Sequence, residues 1–495
     1  MSVGQKAPLA GHQPRAQRKK AHGGLAFTLF CLLGAFAGYT IATGIEKPTW
    51  IAGFALIICL PLLARIMGSL HNVLMSLFIV SLSTPVFSFD PWRPNPLFSD
   101  DPGMPVPIPA LIMLPSLLER FFGLMQNRWQ LRLYPWISLP LGLLIGWALL
   151  TGSFAPYPLW FRAQVPGLLS GAAILLYLAN LIDDEQDLIL AIKSIAFSVI
   201  LSGALALIQY AAGPGAGEKL GGLVSYWDDS VIRVTALSGH PNDLAIYLAS
   251  TLPLLMLFAM LRPELRRWCL TASIMGFGAL LMTFSRGGWI GLAIGLLIVM
   301  HYNAGLITRN MSKVLIGVLL AIPVAGLLII PLGSRLTSRV QTDDDGSAYS
   351  RIPLAETAIK IILNNPIMGV GLGNYKKVVP DYDSSAFVDV ETDLPLAVHN
   401  LLLNLTAETG LPGGLLFILL LLSVYWQARR NARQPDTTMA AFAQGSLGGL
   451  AALFMYAMIE DVSLGSNRYL MLCALSGFIL ATTPRTTPAP PAKLD

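Results

Sequence analysis

The chain has 495 residues, 54% of them hydrophobic and 12% charged, with a mean hydropathy of +0.62 and a formal net charge of +5. Soluble domains carry about 25% charged residues, so this composition excludes a water-soluble globular fold. The 33 Lys and Arg residues are dispersed in short clusters between apolar runs, which excludes a basic face tracking nucleic-acid phosphates.

Residues 1–23 form a basic, polar tail in which Arg15, Arg18, Lys19 and Lys20 precede the apolar run 24–44. That run exceeds a signal-peptide core and lacks a convincing cleavage site, so it reads as a retained first helix. Further apolar runs at 139–150, 189–212, 243–261, 314–332, 401–426 and 440–458 approach the length that crosses a bilayer. Two more, 106–124 and 288–302, are weaker. The fold expected is an all-α polytopic membrane protein with about 12–14 transmembrane helices and one long periplasmic loop carrying an amphipathic helix. Its blocks are a cytoplasmic tail (1–23), N-terminal helices (24–212), central helices (213–332), the long loop (333–398), C-terminal helices (399–483) and a disordered, Pro-rich cytoplasmic tail (484–495). The Pro-rich loop 89–109 has no assigned role. Cys31, Cys59, Cys269 and Cys473 lie in or beside apolar runs without CxxC spacing, and read as buried thiols.

The distribution of positive charge orients the chain. With the basic tail inside, the inward connections hold 20 Lys and Arg residues and the short outward loops hold seven: Lys47, Arg93, Arg162, Lys219, Arg233, Arg286 and Arg468. The remaining six lie in the long loop, which is too long for the rule to count. This asymmetry places Arg286, Arg351 and His399 on the face turned away from the cytoplasm.

Within the long loop, residues 349–364 put Ile352, Ala355, Ile359 and Ile362 on one helical face, a pattern suited to the membrane surface. Asn364-Asn365-Pro366 ends that helix, and Gly369-Val370-Gly371-Leu372-Gly373-Asn374 follows. No strand precedes this glycine run, so it reads as a turn that brings backbone close to membrane or substrate, not as a dinucleotide fingerprint. Asp343–Asp345 reads as a solvated acidic stretch, with no companion ligand at metal spacing.

His399 opens an apolar run in which Asn400, Asn404 and Glu408 recur every four residues, forming a polar stripe on a membrane helix. The stripe lines a cavity or ties helices together. An imidazole at a water-facing helix start is suited to take a proton from an attacking hydroxyl. Arg286 stands before two glycines in Thr283-Phe284-Ser285-Arg286-Gly287-Gly288-Trp289, where a bulky anion has room to approach. Arg351 starts the loop helix, and Arg233 precedes Ser238-Gly239-His240-Pro241-Asn242 at another helix start. Arginines at membrane interfaces also snorkel to lipid headgroups, which is the alternative reading for Arg286 and Arg351. Several arginines with one histidine, and no nucleophilic Ser or Cys, suit the binding of a departing diphosphate.

Four stretches, 233–245, 283–292, 350–375 and 399–414, resemble in order the motifs of the O-antigen ligase and Wzy-type polysaccharide polymerase superfamily. The resemblance implies a metal-independent, inverting glycosyltransferase, without cofactor, in the bacterial inner membrane with its active site facing the periplasm. It implies an undecaprenyl-diphosphate-linked glycan as donor, with a glycan (polymerase) or lipid A–core (ligase) as acceptor. By motif, His399, Arg286 and Arg351 would be catalytic. Arg233, His240, Asn242, Asn400, Asn404 and Glu408 would contact substrate. A transporter of lipid-linked glycans is the competing class, disfavoured because the notable residues gather at one face and not at the midplane.

Overall fold

A computed structural model describes residues 63–83, 88–89, 102–126, 131–213, 226–228, 231–305, 351–383, 398–460, 462–464 and 466–484. The expected spans 24–44 and 314–332, the Asp343–Asp345 run and both expected tails (1–23 and, past its first residue, 484–495) lie outside these residues. In chain order the elements are α1 (Leu70–Ser81), β1 (Ser88–Phe89), β2 (Val106–Pro107), α2 (Ile108–Met125), α3 (Pro135–Ser153), α4 (Pro158–Ala179) and α5 (Glu185–Ala212). Then come β3 (Tyr226–Asp228), β4 (Val231–Arg233), α6 (Pro241–Leu261), α7 (Arg266–Met282) and α8 (Arg286–Tyr302). Last are α9 (Arg351–Asn364), α10 (Tyr375–Tyr382), α11 (Leu401–Asn431), α12 (Thr437–Ala457) and α13 (Asn467–Ala481).

The protein is an all-α polytopic membrane protein. Seven described helices are long and apolar enough to cross a membrane, and α1, α8 and α13 are shorter apolar helices. Hydrophobic residues cover their outer faces: Trp136, Leu139 and Leu143 on α3, Leu297 on α8, and Leu415, Leu422 and Trp426 on α11 are all exposed. Lipid accepts such a surface and water does not. The two-stranded ribbons are local devices. β1 pairs antiparallel with β2 and closes the ends of the Pro-rich loop, while β3–β4 is a hairpin ahead of α6.

The chain divides into two units. One comprises residues 1–77, 112–131 and 483–495, of which the described part is chiefly the start of α1 and most of α2. The other, residues 78–111 and 132–482, holds everything discussed below. At its centre α12 packs against α6 and α8 through small residues. Gly448 lies against Gly295, Gly291 against Ala452, and Gly449 against the Ser250 carbonyl. Small residues let helix backbones approach where the hydrophobic effect cannot drive association. Asn431 adds a polar clamp, donating to the Ile479 carbonyl (2.8 Å) and the Thr482 hydroxyl (3.0 Å). Cys269 and Cys473 are buried free thiols, as expected of them.

The helix ends sort into two sets. Helices α6, α8, α11 and α13 begin, and α7 and α12 end, at one end of the bundle. At the opposite end Arg262 pairs with Glu185 and Glu264 and reaches Thr438, and Arg132 pairs with Asp183 (2.9 Å). Arg429 and Arg430 close α11 there. These arginines belong to the set that the charge distribution places inward.

A Cβ at Gly449 would overlap a backbone oxygen that cannot rotate away. Gly449→Ala is therefore expected to destabilise the bundle by about 1–3 kcal/mol, read as a lower thermal midpoint in detergent.

Candidate functional site

The site lies at the end where α6, α8, α11 and α13 begin. Its base is the turn between α7 and α8 and the loop entering α6. Gln209 of α5 fixes that loop: its Oε1 accepts from the backbone N–H of Thr235 (3.0 Å) and Ala236 (2.8 Å). Arg233 then donates from Nε to the Thr283 carbonyl (2.9 Å) and from Nη2 to Asn242 Oδ1 (2.8 Å), tying the two segments together. Ala236 (φ 46°) and Phe284 (φ 53°) are the positive-φ non-glycine residues among those described, and both flank this junction. Such strain persists only where surrounding contacts over-determine it, and it concentrates at functional sites.

His240 caps α6, its Nδ1 accepting from the Asn242 backbone N–H at 3.1 Å. Burial pushes its pKa below the ordinary value of 6.5; Arg468 and Arg233 act in the same sense, against the charges of Asp243 and Glu460. His240 and Asn242 thus shape the wall of the site as a cap and as the seat of Arg233.

The outer part rests on a break in α11. Gly410 has φ 71°, so the element consists of an outer half, 401–409, and a membrane-length helix after it. Residues 366–371 dock into the break. Leu411 N–H donates to the Pro366 carbonyl (2.8 Å), Val370 N–H to Ala407 (3.0 Å) and Gly371 N–H to Glu408 (2.8 Å). The glycine run serves this docking, since Cβ atoms at Gly369, Gly371 and Gly373 would collide with Glu408, Ala155 and Trp160 respectively. Its backbone approaches α11 and the α3–α4 turn. A small core of Ala358, Ile361, Val370, Tyr375, Val379, Val398 and Ala407 joins α9, α10 and the half-helix. The loop helix buries Leu354, Thr357, Ala358 and Ile361, while Ile352 and Ile359, on the face read from the sequence, point outward.

His399 and Arg351, carried by this outer part, meet a carboxylate that the sequence reading did not single out. Glu460, just after α12, has Oε2 3.8 Å from His399 Nδ1 and Oε1 3.8 Å from Arg351 Nη2. Arg468 of α13 approaches the same Oε2 at 4.0 Å and donates from Nε to Asp243 Oδ1 at 2.7 Å. Burial works to raise the Glu460 pKa, but His399, Arg468 and Arg351 together hold it below the usual carboxylate range. Separations near 4 Å are ion-pair distances, too long for direct hydrogen bonds. Accordingly His399 Nδ1 and Arg351 Nε are buried without a hydrogen-bond partner among the described residues.

The remaining residues divide. Gly287 packs against Tyr456 and Ile459, which sets the exposed Arg286 beside the chain leading into Glu460. Asn400 caps α11 (Leu403 N–H to Oδ1, 3.0 Å), with Nδ2 3.3 Å from the Met458 carbonyl. Asn404 reaches the Val462 carbonyl at 3.4 Å. Both face the segment that carries Glu460. Glu408 is buried one turn further on and accepts weakly from Tyr375 N–H (3.4 Å), facing the docked loop. No group of three or more His, Cys, Asp or Glu side chains among the described residues could hold a metal ion. A sequence signal for Glu460 did exist: an acid closing an apolar run, eight residues before Arg468.

Because the folded-state pKa of His240 is depressed, the unfolded chain takes up this proton first. The stability tied to neutral His240 is present above pH 6.5 and is lost as pH falls below it. The thermal midpoint in detergent is expected to fall between pH 7.5 and 5.5. His240→Asn, which keeps a capping acceptor, should flatten that dependence. An unchanged slope in the variant would count against it.

Comparison with curated proteins gives no match. The family model Wzy_C, described as O-antigen ligase, matches residues 270–418, a stretch that contains Arg286, Arg351 and His399, and this supports the chain's place in the O-antigen ligase and Wzy superfamily.

Proposed function

We propose that the chain transfers a glycan from a polyprenyl-diphosphate carrier to an acceptor hydroxyl at the periplasmic face of the inner membrane, as an inverting, metal-independent glycosyltransferase. The match to the O-antigen ligase model supports a ligase- or polymerase-type function in general. The observation that carries the specific reading is the convergence of Arg351, His399 and Glu460 at an end where α6, α8, α11 and α13 present their N-termini. Helix N-termini carry partial positive charge and favour anions. Arg286 and Arg351 add full charges on accessible side chains, a setting suited to a diphosphate.

In this mechanism the acceptor oxygen attacks the anomeric carbon as the bond to the diphosphate oxygen breaks. The bonding pair leaves with the polyprenyl diphosphate, held by Arg286 and Arg351. The hydroxyl proton passes to His399 Nε2. With Nδ1 turned to Glu460, the carboxylate orients the ring and stabilises the imidazolium that forms. A diphosphate leaves without protonation, so a single base suffices.

The acceptor we favour is another lipid-linked glycan, which makes the enzyme a polymerase of surface polysaccharide. Ligation to lipid A–core is the second reading, favoured by the description of the matching family. A strain lacking the gene separates them: loss of a polymerase leaves single repeats or no secreted polymer, whereas loss of a ligase leaves unsubstituted core. In a reconstituted assay with a defined undecaprenyl-diphosphate glycan, His399→Ala, Arg286→Ala and Arg351→Ala are each expected to lower transfer by about 100-fold or more. Wild-type rates in all three would remove the assignment.

A further inference from the structure

Arg468 lies outside the stretch that matches the family, and it reaches the same Glu460 oxygen that faces His399. Its side chain is 15% exposed, so its charge is committed to the interior. Two contacts of the guanidinium matter here. One edge donates from Nε to Asp243 Oδ1 at 2.7 Å, and Nη1 stands 4.0 Å from Glu460 Oε2. That oxygen is the one facing His399 Nδ1, whereas Oε1 faces Arg351. Asp243 lies in the first turn of α6, where the helix favours a carboxylate, so it is itself fixed.

We propose that Arg468, anchored by Asp243, is a positioning residue that fixes the charge and direction of Glu460 and through it aligns His399. The proposal rests on the transfer reaction described above. A buried carboxylate is driven toward protonation unless a permanent cation stands beside it. Once protonated, it would no longer stabilise an imidazolium. Arg351 cannot supply that cation throughout a turnover in which it also holds the departing diphosphate. Arg468, tied to Asp243, can. Were the pair only a tie between α6 and α13, the second branch toward Glu460 would be superfluous.

The test uses the full chain in detergent, with a lipid extract from a strain lacking the gene as donor source and its membranes as acceptor source. A charge swap, Asp243→Arg with Arg468→Asp, keeps an ion pair between α6 and α13 but sets a carboxylate beside Glu460. It is expected to keep a cooperative thermal transition, with the midpoint lowered by the cation at the start of α6, while kcat falls at least about 10-fold and the donor KM stays within about twofold. Recovery of kcat along with stability would reduce Arg468 to a helix tie and overturn the proposal. Should the swap not fold, a double-mutant cycle decides. If Arg468 acts through Glu460, Arg468→Gln should cost far less in a Glu460→Gln background than in the wild type; additive losses would overturn it. Failure of the underlying reaction is separately visible. His399→Ala transferring at the wild-type rate, or a wild type without transfer, removes the reading and the proposal together. A recovered swap with His399→Ala inactive removes the proposal alone.

Discussion

Gly410 turns the backbone of α11 through φ 71°, and the outer half of the site depends on that turn. An unbroken helix would leave no free groups at 407–411 for residues 366–371 to bond. The docked loop is what holds α9 and α10 against the half-helix, and so what brings Arg351 to His399. In lipid an opened backbone is tolerated only when other groups satisfy it. Here the loop supplies them, with Trp147 Nε1 donating to the Thr409 carbonyl at 2.7 Å.

The other half of the site depends on close helix packing. Because glycines let α12 approach α6 and α8, the segment after α12 reaches the N-termini of α6, α11 and α13. Glu460 is carried to that junction by tight packing, and it meets there Arg351, His399 and Arg468, which arrive from three separate elements. The electrostatic centre is therefore shared between a packed bundle and a docked outer cap. Each half is held by its own contacts, and Glu460 is the point at which they meet.

Much of this was legible in the sequence, for physical reasons. Long apolar runs report bilayer-spanning helices directly, as α3, α5, α6, α11 and α12 demonstrate. Starting residues such as His240 and Asn400 announced helix N-termini, and both serve as caps. Less legible was whatever depends on a helix not being ideal. The four-residue stripe from Asn400 to Glu408 lies within the half-helix, ahead of the break at Gly410; the sequence did not show that a docked loop would meet its last member. The glycine run looked able to approach substrate because close approach is what glycine permits; the sequence did not reveal that the neighbour would be α11. Glu460 went unnoticed because an acidic pair, Glu460-Asp461, at the end of an apolar run resembles ordinary interfacial charge. Its meaning comes from Arg351 and His399, which are distant in sequence, meeting it together with Arg468.

The small core that includes Val379 and Val398 has one more consequence. Residues 384–397 join two ends that this core already holds close, with Asp383 bonded to Thr357 and Val398 buried beneath the half-helix. Lengthening such a connection costs little, since closure entropy grows only with the logarithm of its length. Arg351 and His399 keep their relation whatever this stretch contains. Changes in the length of that connection are thus expected to leave Arg351 and His399 paired with Glu460.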